Sequence, residues 1–68
     1  MTATAEFSVT GMTCAHCVAS VTEEVQEIDG VTDVVVDLAS GGLRVTSEQP
    51  ISDAEVQAAV EEAGYRLA

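Results

Sequence analysis

The spacing of apolar residues in this chain switches repeatedly between a period of two and a period near 3.6, and the order of those switches leaves few folds open. Ala5, Phe7 and Val9 alternate with Glu6 and Ser8, which predicts a half-buried strand over residues 5–9. Gly11 punctuates, and Met12 to Cys17 read as a loop entering a helix in which Val18, Val21, Val25 and Ile28 recur at spacings of three and four. Asp29-Gly30 closes that helix, with Gly30 suited to the left-handed position past a helix end. Val31 to Leu38 is β-branched, with Val34, Val36 and Leu38 on one face and Asp33, Val35 and Asp37 on the other. Ser40-Gly41-Gly42 has the chemistry of a hairpin turn into Leu43–Thr46. Ser52 and Glu55 then form a capping box and Ile51 and Val56 a hydrophobic staple, ahead of the stripe Val56, Ala59, Val60, Ala63. Gly64 ends the second helix, and Tyr65 to Ala68 make a last short strand.

The order is β-α-β-β-α-β, the split βαβ or ferredoxin-like arrangement. We therefore expect an α+β chain with one four-stranded antiparallel sheet, two helices on one of its faces, and a single domain over residues 1–68. The expected core is Phe7, Val9, Val21, Val25, Val34, Val36, Val45, Val56 and Val60. The open face would carry Glu6, Ser8, Asp33, Asp37, Arg44, Thr46 and Arg66, with Val35 as its apolar exception. A chain this short buries only about 60% of its unfolded surface, which leaves little room for a deep substrate cleft.

Twelve acidic residues stand against two basic ones, Arg44 and Arg66, for a formal charge of −10. Such a surface repels phosphate backbones and anionic headgroups, so neither nucleic acid nor direct membrane binding is expected. Solubility accounts for acidic faces in general; docking on a basic partner is the second use. No segment has the basic start and apolar run of a secretory signal, and none approaches a membrane span. A cytoplasmic, reducing setting follows as the expectation, and two cysteines three positions apart there point to metal or thiol chemistry rather than a structural staple.

All the chemistry lies in Gly11-Met12-Thr13-Cys14-Ala15-His16-Cys17. Thiolates are soft ligands that select Cu(I), Zn(II) and their heavier relatives, and they must lose a proton to bind. The N-terminus of a helix lowers a thiol's pKa through free N–H groups and its partial positive charge. Thr13 is the expected N-cap, with Cys14 and Cys17 in or at the entrance of the first turn. At about 100° per residue the two cysteines lie about 60° apart on the wheel, and His16 falls roughly 160° from Cys14. His16 is therefore expected to face outward, tuning local charge rather than ligating. Structural Zn(II) wants four ligands, more than two sulfurs and one imidazole supply. A two-coordinate Cu(I) ion is content with two thiolates and is easily passed on.

A bare CxxC is a weak signal. This seven-residue run between the first strand and first helix, continued by Gly30-Val31, Val34-x-Val36-x-Leu38 and Gly64-Tyr65, resembles the heavy-metal-associated domain over nearly the whole chain. Within that family it is similar to bacterial copper chaperones of the CopZ type. The resemblance implies Cu(I) held by Cys14 and Cys17, Met12 tucked under the loop as an apolar tether, and Tyr65 packed beside the loop. It also implies delivery of the ion to the metal-binding domain of a copper-transporting P-type ATPase or to a copper-sensing repressor. The chain is expected to be a monomer without metal, and a copper-bridged dimer is the form a shared ion would allow.

Other readings share these residues. An N-terminal domain of a copper-transporting ATPase would have the same fold and site; Met1 close to the first strand and a stop after the fourth favour a free-standing protein. Zn(II), Cd(II) or Hg(II) would be alternative cargoes, although periplasmic mercury carriers of this fold need a signal peptide. A thiol–disulfide oxidoreductase would need a longer, largely parallel α/β chain. No nucleophile–base pair, paired buried carboxylates or phosphate loop is evident, so no enzymatic activity is expected.

Overall fold

A computed structural model describes residues 2–68; Met1 lies outside the described residues. The elements follow the expected order: β1 (Ala3–Thr10), α1 (Ala15–Gln26), β2 (Val31–Asp37), β3 (Gly42–Ser47), α2 (Asp53–Glu62) and β4 (Arg66–Leu67). The sheet is antiparallel with strand order β2-β3-β1-β4, and both helices pack on one face. Val21 and Val25 of α1 and Val56 and Val60 of α2 meet Val9, Leu43 and Val45 of the sheet to form the buried core. The opposite face is polar as expected, with Glu6 and Arg44 paired across β1 and β3 at 3.9 Å. An exposed pair of this kind is worth about 0–1 kcal/mol. No helix among the described residues is long and apolar enough to cross a membrane.

Several expectations shift in register or depth. Helix α1 ends at Gln26 rather than at Ile28; Glu27 to Gly30 form a turn in which Ile28 N–H bonds the Val25 carbonyl at 3.1 Å and Gly30 takes a φ of +90°. Strand β2 stops at Asp37, because that residue's carboxylate takes Ala39 N–H at 3.0 Å and its carbonyl takes Gly41 N–H at 2.8 Å. Leu38 therefore sits in the turn, 39% exposed, while Val34 and Val36 lie half-buried and Val35 is 51% exposed on the open face. Phe7 is half-buried rather than enclosed, since β4 covers only the end of β1. Leu43, absent from the expected core, is fully buried opposite Phe7; its alternation with Val45 was the available signal. In α2 half of the capping box forms, with Glu55 N–H donating to Ser52 Oγ at 3.1 Å, and Ile51 packs against the core.

Topology gathers three loops at one end. Gly42 at the start of β3 pairs with Ser8 near the end of β1, and Arg66 of β4 pairs with Thr10. The β1–α1 loop, the β2–β3 turn and the α2–β4 connection thus share that end. Gly41 ties two of them: its carbonyl takes Val9 N–H at 2.8 Å, its φ is +76°, and a Cβ there would stand 2.6 Å from the Val9 carbonyl oxygen. Only glycine fits this turn without displacing β1.

Candidate metal centre

The β1–α1 loop delivers the cysteine pair to the start of α1. Cys14 is the N-cap, with extended φ −157° and ψ 174°, and its carbonyl accepts the first helical bonds from Cys17 N–H at 3.0 Å and Val18 N–H at 3.3 Å. The expected cap, Thr13, sits one residue too early; its hydroxyl lies instead 3.8 Å from Cys17 Sγ. No side chain caps this helix and no acidic residue occupies its first turn. The partial positive charge of that helix end favours the thiolate form of a nearby sulfur.

The two thiols are free and their sulfurs are 3.7 Å apart. Cys14 is exposed, while Cys17 is 9% exposed and continues the Val21–Val25 stripe of α1. Tyr65, at the α2–β4 connection, packs its ring 3.5 Å from where a Gly11 Cβ would be, and its phenol is near enough to the Cys17 sulfur for each to shift the other's ionisation. The Cys17 thiol is lowered to about 6, first by hydrogen bonding from the backbone at Thr13, then by Tyr65 and by the backbone at Cys14; partial burial opposes the shift. The nearby Cys17 sulfur, followed by burial, raises the Tyr65 phenol above its ordinary value.

Met12 is half-buried against the core beneath the loop. His16 is exposed on the first turn, and among the described residues no group of three His, Cys, Asp or Glu is placed to hold a metal. The structure thus brings together Cys14, Cys17, Thr13 and Tyr65, sets Met12 under them, and leaves His16 outside. Sequence spacing could not place Tyr65 beside Cys17, because nothing local couples the end of α2 to the first turn of α1.

Soft-ion chemistry fits this donor set. With metal–sulfur bonds of about 2.3 Å, sulfurs at the observed spacing can share one ion at an angle of roughly 107°. A near-linear pair needs them about 4.6 Å apart, wider than the observed 3.7 Å. Two thiolates leave a four-coordinate ion half-ligated and a two-coordinate ion complete.

Comparison with known proteins agrees with this geometry. Residues 6–66 match the heavy-metal-associated domain. The chain is 42% identical over 62 residues to the copper chaperone CopZ of Enterococcus hirae, covering 90% of each. It is 40% identical over 60 residues to copper-transporting ATPase 1 of Rhizobium meliloti, where the match covers 88% of this chain and 7% of the ATPase. A solved CopZ metallochaperone superposes with a TM-score of 0.90 at 30% identity, covering 97% of this chain and 100% of that one.

Proposed function

The chain belongs to the heavy-metal-associated domain family, and from that premise we propose that residues 1–68 act as one cytoplasmic carrier domain that binds a single Cu(I) through Cys14 and Cys17 and hands it on by ligand exchange. One observation carries the reading: two free thiols 3.7 Å apart at a helix N-terminus without a side-chain cap, with no third His, Cys, Asp or Glu grouped beside them among the described residues. Two thiolates satisfy a soft monovalent ion and leave room for an incoming third.

The two sulfurs divide the work. Cys17, stabilised as thiolate by Thr13, Tyr65 and the Cys14 backbone, anchors the ion. Cys14, exposed at the cap, is where a partner's thiol arrives. The incoming thiol gives up its proton as its sulfur binds, and Cys14 takes up a proton as it departs, so the ion never passes through water. Transfer then finishes when a second partner thiol displaces Cys17. The receiving site is the metal-binding domain of a copper-transporting P-type ATPase, in keeping with the chain's likeness to such an ATPase; a copper-sensing repressor is a second recipient, and a dimer bridged by one copper ion follows if the partner is another copy. The domain catalyses no reaction of its own. His16 tunes charge at the site, and Met12 holds the loop to the core.

Anaerobic titration with Cu(I) against a chromophoric competitor, beside a parallel Zn(II) titration, tests this reading. One tightly held Cu(I) per chain, lost in Cys14→Ser and in Cys17→Ser and retained in His16→Ala, is the expected result. Wild-type affinity in either cysteine variant, or preference for Zn(II), overturns it. The same chemistry would serve a metal-binding domain within an ATPase, which the similarity to both carrier and transporter sequences accommodates.

A further inference from the structure

Among the described residues, half of one sheet edge has no partner strand. Strand β4 pairs only with Val9 and Thr10, and beyond it Ala68 N–H reaches the Ser8 carbonyl at 2.8 Å. Val9 N–H points the other way, to the Gly41 carbonyl. A strand residue presents its N–H and C=O to the same side, and the side alternates along the chain. Ala3, Ala5 and Phe7 therefore bond toward β3, whereas Thr4 and Glu6 turn both backbone groups to the open edge. A row of such groups is a template for an added strand.

Beside this edge a groove of 990 Å³ runs between β1 and α2. Phe7 is half-buried along it, and Glu6, Asp53 and Glu61 line it with Gln57; Arg66 is the one cation among its lining residues. The opposite edge of the sheet is protected. There β2 carries a register shift between Val31 and Asp33, and Asp33 and Asp37 are charged. The Ala3–Ser8 stretch has unbroken register and neither proline nor lysine.

We propose that the open edge of β1 is a peptide-docking site, which takes an extended, basic segment of a protein partner as a strand antiparallel to β1 and in line with β4. The partner's backbone would satisfy Thr4 and Glu6. Its alternate side chains would fall toward Phe7, Asp53 and Glu61 on the helical side and beside Glu6 on the open side, so Lys or Arg interleaved with small apolar residues suits both rows. A second copy of this chain is a poor occupant, because it would press like carboxylates together between molecules that each carry a formal charge of −10. The site needs neither cysteine, although Tyr65, which lines one end of the groove, also lies beside Cys17.

The test is amide hydrogen exchange by NMR on the reduced full chain, with the acetylated, amidated octapeptide Lys-Thr-Lys-Val-Arg-Val-Lys-Thr as probe. Its control is the same peptide N-methylated at alternate residues, which keeps charge and side chains but cannot pair along an edge. The expected result is exchange slowed at least about tenfold at Thr4 and Glu6, unchanged at Ala5 and Phe7, and no protection by the methylated peptide. Glu61→Lys should weaken the probe's binding about fivefold or more. Equal effects of the two peptides, no protection, or protection confined to β2 overturns the proposal. Protection that grows with protein concentration in the absence of peptide also overturns it, by giving the edge to a second copy.

Discussion

The nearness of the Tyr65 hydroxyl to the Cys17 sulfur acts in opposite directions on the two groups: it favours the thiolate and disfavours the phenolate. Removing the hydroxyl in Tyr65→Phe leaves the larger contribution from the Thr13 backbone in place. The pH midpoint for alkylation of Cys17 by iodoacetamide should therefore rise from about 6 but stay below that of a free thiol; an unchanged midpoint would remove Tyr65 from the site. The same thiol sets a pH dependence of stability. Its folded value is about 6 against an ordinary 9.0, so between those values the unfolded chain holds a proton that the folded chain has lost. Stability of the reduced, metal-free protein should accordingly rise from pH 6 to pH 9, with the Cys17 contribution complete above 9 and gone below 6. Urea midpoints measured across that range should climb in the wild type and lie flatter in Cys17→Ser.

At the scale of elements, turns and caps do different amounts of work. Ser52 holds one orphan donor of α2 through Glu55 N–H, and Ser52→Ala should cost about 1 kcal/mol. Gly41 combines a positive φ with a backbone carbonyl 2.6 Å from any added Cβ. Gly41→Ala should therefore cost more, about 1–3 kcal/mol from backbone strain alone, and should disturb β1 next to the metal loop. Chemical denaturation of the two variants side by side checks the ranking; a Gly41→Ala cost no larger than the cap's would mean that the hairpin yields freely. The uncapped start of α1 is the exception to good helix design. The backbone groups that favour the Cys17 thiolate lie just before the helix, at Thr13 and Cys14.

For the whole molecule, the core of Val9, Val21, Val25, Leu43, Val45, Val56 and Val60 contains neither thiol. Reduced, metal-free protein should give a mixed helix–strand circular dichroism spectrum and unfold cooperatively, and a chelator should not change that; a random-coil spectrum would make metal part of the fold. Charge is also a property of the whole chain. Burial, with Glu27, Glu62 and Glu23 nearby, raises the Glu24 carboxyl, so the helical layer concentrates negative potential where α1 meets α2. If a basic face meets that layer, transfer of Cu(I) to an ATPase domain followed by stopped flow should slow steeply with added salt, while equilibrium Cu(I) affinity barely moves. Screening acts over about 8–10 Å at ordinary ionic strength, far beyond the reach of a metal–sulfur bond. A flat rate would leave the acidic face to solubility.

Element order, the helix stripes, the Ser52 cap, the glycine turn and the cysteine spacing were all legible in the sequence, because each is set by residues within a few positions of one another. Val21 and Val25, like Val56 and Val60, lie inward for the periodic reason that predicted them. What sequence could not decide depends on where distant segments meet. Leu38 points to solvent because Asp37 captures the following turn, and Phe7 is half-buried because β4 reaches only Val9 and Thr10. Cys14 rather than Thr13 occupies the N-cap position of α1, because it is the Cys14 carbonyl that accepts the first helical bonds. Tyr65 lies beside the metal loop only because the sheet order puts β4 beside β1 and so carries the end of α2 there. Local periodicity specifies the parts; the pairing of strands remote in sequence specifies which side chains share a site.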